Sequence, residues 1–226
     1  TMTISSSTVN SGETSNDSAI SLTFTSSEST ANFTQSDITI SGGSLSSFSG
    51  SGTTYTATLT ASGDATYTIS VAQNTFTDSA GNGNSASNNF TWTLDSTSPT
   101  MTITSSTVSS GDTTNDSTIN VTFTSSESTT NFVEGDITIS NGTLSNFAGS
   151  GTTYTATLTP STDGTCTVSV AENKFTDSSG NNNSASNNFS WTYSSDLTGP
   201  TMTITSSSVT SGDATNDTSI LSLIHI

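Results

Sequence analysis

The chain has 226 residues, 28% of them hydrophobic, and sets 18 Asp and Glu against a single Lys or Arg for a net charge of −17. That one cation, Lys174, cannot neutralise a run of phosphates, which excludes nucleic acid as a partner and a basic patch on an anionic membrane. No apolar run is long enough to span a bilayer, so membrane insertion is not expected.

The chain opens on "TMTISSS", with neither an initiator Met nor a signal peptide, in the middle of a unit that returns later after a proline. This start predicts a fragment of a longer protein. Gly12 matches Gly111, Phe24 matches Phe123, Tyr55 matches Tyr154 and Trp92 matches Trp191, all at one offset (111 − 12 = 99). A further copy starts at "PTMTITSS", now displaced by two more residues (202 − 101 = 101), which fall in the stretch between Trp191 and Pro200. An insertion is tolerated best in a linker, so the chain divides into module one (1–97), module two (98–197) and the truncated start of a third (198–226). A period near 100 residues suits a β-sandwich of about that size and is too long for a solenoid repeat of roughly 20–50 residues.

Inside each module the apolar residues alternate with Thr, Ser or Asn, as in "INVTF", "YTATL" and "CTVSV". That period of two is the pattern of half-buried strands, and nothing has helical periodicity. In the numbers of module two the spacing predicts seven strands: about 101–105, 118–125, 132–140, 143–148, 152–159, 165–175 and 186–193. Turn signals such as "SSGDTTND", "GSG" and "DSSGNNN" separate them. Short strands at regular spacing predict an all-β sandwich with Greek-key connections. Its expected core is Ile103, Ile119, Val121, Phe123, Phe132, Ile137, Ile139, Leu144, Phe147, Tyr154, Leu158, Val168, Val170, Phe189 and Trp191. Cys166, the only cysteine, replaces Tyr67 in an alternating strand and is expected to be a small buried hydrophobe.

The string "FTSSESTTNFVEGDITISNGTLSNFAGSGTTYTATLTPSTDGTCTVSVAENKFTDSSGNNNSAS" resembles the bacterial Ig-like repeats of very large secreted and surface proteins. The likeness covers residues 1–220 and implies tandem immunoglobulin-like sandwiches. Such modules occur in adhesins, surface-layer proteins and extracellular enzymes. The tail departs from the pattern: where the second copy continues "NVTFTSS" the chain reads "LSLIHI". Leu221 and Leu223 then fall on the solvent face, and residues 221–226 are expected to be non-native, together with His225, the only histidine.

Without a histidine in the modules no Ser-His-Asp or Cys-His arrangement can form, and no His/Cys cluster offers zinc a site. An enzyme is not expected. The acids are what remains: Glu13, Asp17, Glu28, Asp37, Asp64, Asp78 and Asp95 have acidic counterparts in Asp112, Asp116, Glu127, Asp136, Asp163, Asp177 and Asp196. Asp64 and Asp163 are accounted for as turn residues. Following the strands from pole to pole places Glu127, Asp136 and Asp177 at the top of module two, with linker Asp95 and Asp17 at the bottom of module one. Glu28, Asp37 and Asp78 repeat the first group one module earlier, and Asp116 and Asp196 repeat the second one module later. Carboxylates so gathered hold a cation or repel one another, and loops rich in Asp, Asn and Gly suit calcium. The expectation is calcium at or near the junctions.

The partners expected are the neighbouring Ig-like modules of the same chain, with surface glycan or host protein engaged through further domains. The sequence therefore reads as a structural spacer of a large extracellular or cell-surface bacterial protein. Its alternatives are a glycan- or host-surface-binding module and an accessory region of a secreted hydrolase. Aromatic residues that alternate into the core, instead of clustering in loops, favour the spacer.

Overall fold

The computed structural model describes residues 1–214, 216 and 222–225. Module one contains β1 (Met2–Ser6), β2 (Thr14–Ser15), β3 (Ala19–Thr30), β4 (Ile38–Ile40), β5 (Ser44–Thr60), β6 (Ala65–Val71) and β7 (Phe90–Leu94). Module two repeats them as β8 (Met101–Ser105), β9 (Thr113–Thr114), β10 (Ile119–Thr129), β11 (Ile137–Ser140), β12 (Gly142–Pro160), β13 (Gly164–Val170) and β14 (Phe189–Tyr193). Each module is a sandwich of a three-stranded sheet, β1-β3-β5 or β8-β10-β12, and a four-stranded sheet, β2-β7-β6-β4 or β9-β14-β13-β11. Every pairing is antiparallel except the short parallel ladders of β2 with β7 and β9 with β14. The protein is all-β with tandem immunoglobulin-like sandwiches.

The alternation predicts the packing well. Along β10, Ile119, Val121, Phe123 and Ser125 are buried while Asn120 and Thr124 are exposed. All fifteen residues of the expected module-two core lie in its hydrophobic cluster, with Ile137, Ile139, Leu144 and Phe147 on its half-buried edge. The cluster also takes in Met101, Val108, Ala156 and Phe175, and Cys166 is fully buried as expected. Phe132 is the hub, with ring centroids 5.8 Å from Phe123, 5.6 Å from Phe147, 5.1 Å from Tyr154 and 5.2 Å from Phe175. These offset and edge-on contacts are favoured by ring quadrupoles. Module one builds an equivalent, separate core around Phe33.

Several element bounds differ from expectation, each for a local reason. Residues 143–148 and 152–159 are the two arms of one unbroken extended run, β12, which doubles back at Gly149–Gly151. Gly149 has φ of 143° and a Cβ there would stand 2.4 Å from the Thr153 carbonyl oxygen, so only glycine turns the chain this tightly. The strand expected over 132–140 begins only at Ile137, because Glu134–Asp136 form a 3₁₀ turn. The strand expected over 165–175 stops at Val170, where buried Asn183 takes over the backbone: its Oδ1 accepts from the N–H groups of Lys174 and Phe175, and its Nδ2 donates to the carbonyls of Ala171 and Ser184. β10 runs on to Thr129, beyond the expected 125, and carries Glu127 with it.

In the third copy β15 (Thr203–Ser206) pairs antiparallel with β16 (Ser222–His225). The expectation that 221–226 are non-native, and the facing of their side chains, lies outside the described residues.

Candidate metal centre

The junction is built from the end of β7. Asp95 follows Leu94 and donates its N–H to the carbonyl of Ser15 at 3.1 Å, extending the parallel β2–β7 ladder by one rung. Its backbone therefore belongs to module one. Asp64 fixes the residues that follow: its carboxylate accepts from the Ser96 N–H at 2.9 Å, the Ser96 hydroxyl at 2.6 Å and the Thr97 hydroxyl at 3.0 Å. The Ser96 bonds hold the Asp64 carboxyl below its ordinary range. Asp163 does the same for Ser195 in module two. Both aspartates are linker clamps as well as turn residues, a role with no signal in the turn itself because the partners are about thirty residues on.

Module two meets this linker with two segments. One is the end of β10, where Ser126 donates its N–H to the Thr100 carbonyl at 2.9 Å and accepts from the Thr100 N–H through its hydroxyl at 2.9 Å. The other is the loop opened by Asp177. There Asp177 Oδ1 accepts from the backbone N–H groups of Ser179 and Asn181, each at 2.9 Å, and Oδ2 accepts from Asn181 Nδ2 at 3.0 Å. The loop thus arrives at the junction already rigid.

Three hydrogen bonds join the modules directly, and a fourth ties the start of module two to its own loop. Ser179 Oγ donates to Asp95 Oδ2 at 2.7 Å, Asn181 Nδ2 donates to the Asp95 carbonyl at 2.9 Å, Asn16 N–H donates to the Ser179 carbonyl at 3.1 Å, and Ser184 N–H donates to the Pro99 carbonyl at 3.0 Å. Docking buries the loop: Asp177 is 7% exposed, and Ser179 and Asn181 are each 9% exposed. Their module-one counterparts Ala80 and Asn82 are exposed and Asp78 is half-buried.

Here Asp95, Glu127 and Asp177 present carboxylate oxygens that all lie within 4.8 Å of one another. Among the described residues this is the one such group of three. Ligands on opposite sides of a calcium ion, at about 2.3–2.6 Å each, are separated by about 4.6–5.2 Å, so an all-oxygen set of this spread fits a hard divalent cation. Burial raises the Glu127 carboxyl above its ordinary range, and the charges of Asp95 and Asp177, a hydrogen bond to Asp177 and the charge of Asp64 push it the same way.

The other expected site residues are placed differently. Asp136 is outside the group of three; its carboxylate accepts from the Val133 N–H at 2.9 Å and closes the 3₁₀ turn. Asp37 accepts likewise from the Thr34 N–H at 2.8 Å. Asp17 is half-buried beside Asn16, and its carboxylate is not in the group. Asp116 accepts from the Thr114 hydroxyl at 2.6 Å, and exposed Asp196 accepts from Thr198, which holds its carboxyl below the ordinary range. Glu28 and Asp78 line one cavity of about 260 Å³ at the outer pole of module one, with Thr1, Ser26, Asn82 and Asn84. Sequence reasoning did not single out Asn16, Ser125, Ser179 or Asn181, since a small polar residue in a Ser- and Asn-rich chain carries no mark of its partner.

Two stacked three-plus-four sandwiches that share a polar junction define a tandem Ig-like repeat protein. The family model described as "Bacterial Ig-like domain" matches residues 1–94 and again 95–193, and the chain belongs to that family. No curated protein matches it. Among solved structures it is similar to InvD of Yersinia pseudotuberculosis, at 19% identity and a TM-score of 0.39 over 91% of this chain and 62% of that one. It is also similar to invasin, described as a bacterial integrin-binding protein, at 16% identity and a TM-score of 0.38 over 74% and 36% of the two chains. The adhesin InvE of Yersinia pseudotuberculosis matches at 16% identity and a TM-score of 0.30 over 85% and 58%. The chain thus spans less than two thirds of each of these structures. No helix among the described residues is long and apolar enough to cross a membrane.

Proposed function

We propose that the chain is a spacer segment of a large extracellular or cell-surface bacterial protein of the adhesin type. It holds other domains away from the surface, and calcium stiffens its module junction. The observation that carries this reading is the junction itself: three direct hydrogen bonds and a buried, pre-ordered loop fix one sandwich on the next. A spacer needs that property, and a ligand-binding module does not. The aromatic side chains also point inward, with Phe33, Tyr55, Phe76, Phe132, Tyr154 and Phe175 all buried, which leaves them unable to serve as a sugar-stacking platform. Small-angle scattering of the chain in millimolar calcium, paired with a glycan array, tests the proposal. A rod of fixed length that retains no glycan supports it. A compact or flexible particle, or selective retention of one glycan class, contradicts it.

A further inference from the structure

We propose that Asn88 and Asn187 are edge blockers: each side-chain amide occupies the place of a neighbouring strand on β1 or β8 and keeps that sheet edge closed to a second copy of this chain. β1 and β8 are outer strands of the two three-stranded sheets. Ser27 N–H donates to the Thr1 carbonyl and Ser126 N–H to the Thr100 carbonyl, so Thr1, Thr3 and Ser5, like Thr100, Thr102 and Thr104, turn their backbone groups inward to β3 or β10. The residues between them face outward, because backbone direction alternates along an antiparallel strand. An outward row of this kind is a template for pairing with another chain.

The middle of each row is already taken. Asn88 Oδ1 accepts from the Ile4 N–H at 2.7 Å, and its Nδ2 donates to the Ile4 carbonyl at 3.0 Å. Asn187 does the same to Ile103, at 2.7 and 3.0 Å. An Asn amide carries acceptor and donor side by side, the pair that a strand residue would offer. The preceding serine fixes the amide in place. Ser87 donates its N–H to the Val71 carbonyl at 3.0 Å and accepts from the Val71 N–H through its hydroxyl at 2.9 Å; the same hydroxyl donates to the Asn88 carbonyl at 2.7 Å. Ser186 repeats all three bonds with Val170 and Asn187. The "SASNN" that both copies spell before β7 and β14 thereby gains a role.

Edge strands are commonly guarded by Lys, Pro, a bulge or sheer shortness. β1 reads MTISS and β8 reads MTITS, without a charge or a proline, so nothing in the strand itself repels a second copy. The other edges have guards of their own: β4 has three residues and β11 four, while β5 and β12 are interrupted by Ser47 (φ 54°) and Asn146 (φ 53°) in the left-handed region. The occupant kept out is a second copy because the edge is self-complementary. Two β1 strands laid antiparallel about Ile4 would exchange both of its bonds with no other partner. Near-identical sandwiches strung on one chain also meet at high local concentration, where such pairing misassembles an array.

Sedimentation velocity of the 226-residue chain tests this in physiological salt, which screens charges more than about 8 Å apart but not cross-strand neighbours about 5 Å apart. The parent chain stays monomeric up to millimolar concentration. Asn88→Gly or Asn187→Gly removes the amide and loosens the segment that carried it, giving a concentration-dependent dimer. The two together give larger assemblies, since each copy then has two open edges. Adding Thr3→Lys and Ser5→Lys, both at exposed positions, to Asn88→Gly restores the monomer, because the added charges oppose one another across a two-fold at Ile4. Hydrogen exchange reads the same contact in the parent chain: the Ile103 amide, although on the outer edge, exchanges as slowly as those of Thr102 and Thr104, and it exchanges roughly tenfold faster in dilute Asn187→Gly. A parent chain that dimerises, glycine variants that unfold or stay folded and monomeric, association that survives the lysines, or a parent Ile103 amide far faster than its two neighbours would each overturn the proposal.

Discussion

Trp191 offers a quantitative test of how a single hydroxyl is used. In module one Trp92 Nε1 donates to Ser15 Oγ at 3.1 Å. In module two the same indole N–H is buried without a partner, and position 114 is Thr. The Thr114 hydroxyl instead donates to Asp116 Oδ2 at 2.6 Å and accepts from the Asp116 N–H at 3.1 Å. Its branched methyl restricts χ1, which keeps the hydroxyl turned toward Asp116. Thr114→Ser frees the rotamer, so that the hydroxyl can accept from Trp191 as Ser15 accepts from Trp92. A buried unpartnered donor costs about 1–3 kcal/mol, and the exposed bond to Asp116 given up in exchange is worth about 0.5–1.5 kcal/mol, leaving a gain near 1 kcal/mol. For a sandwich of this size that gain raises the melting temperature by about 4–8 °C. The reverse change, Ser15→Thr, lowers module one by a similar amount. Differential scanning calorimetry of the full chain reads both. If Thr114→Ser lowers the melting temperature while Ser15→Thr leaves it unchanged, the assignment of the orphan indole to its neighbouring hydroxyl is wrong.

Three further outcomes follow from the junction and its supporting loop. Gly180 (φ 93°) and Gly81 (φ 91°) are equivalent, but a Cβ on Gly180 would stand 3.3 Å from Asn16 Nδ2 whereas one on Gly81 meets nothing within 4 Å. Gly→Ala therefore costs about 1 kcal/mol of backbone strain at either position, and only Gly180→Ala also loosens the modules, seen as faster proteolysis of the linker. Asn183→Ala removes four hydrogen bonds from a residue 2% exposed and costs about 3 kcal/mol, measured by urea denaturation. Glu127 gives a pH dependence of definite sign. Its carboxyl is raised in the folded chain by burial and by Asp95, Asp177 and Asp64, so between its unfolded and folded titration points the native state binds the extra proton. Metal-free chain therefore loses stability as pH rises through that window above about 4.5, regains it on acidification, and shows neither change as Glu127→Gln. Saturating calcium reverses the trend, since the ion requires the ionised carboxylates. Melting curves in EDTA and in calcium between pH 4 and 7 check both statements.

The fold was legible because the sequence writes its period of two plainly and then writes it again. Ile119, Val121 and Phe123 declare a buried face, and the 99-residue repeat declares the module. What escaped was set by single backbone decisions. Gly149 turns β12 without breaking it, and Asn183 takes over the backbone just past β13 from thirteen residues beyond its last residue, Val170 (183 − 170 = 13). Of the expected carboxylates, topology brings Glu127, Asp177 and Asp95 together, since Glu127 lies near the end of β10, Asp95 just after β7, and Asp177 in the loop between β13 and β14 that meets the junction. Asp136 lies at the same end of the chain's path but is spent on a local turn, a competition between nearby backbone N–H groups and a distant site that spacing does not reveal. The junction's neutral partners were invisible for a related reason: Ser179 and Asn181 matter only because module one presents Asp95 and Asn16 to them.

A spacer of the proposed kind requires that the two sandwiches hold one orientation through the Asp95 junction. Spin labels on Thr53→Cys and Thr152→Cys, both on exposed positions, with buried Cys166→Ser to remove the native thiol, allow the inter-module distance distribution to be measured by pulsed electron resonance. A single narrow distribution is expected in millimolar calcium, broadening when calcium is chelated or Asp95 is replaced by Asn. A broad distribution in calcium, indifferent to both treatments, would contradict it.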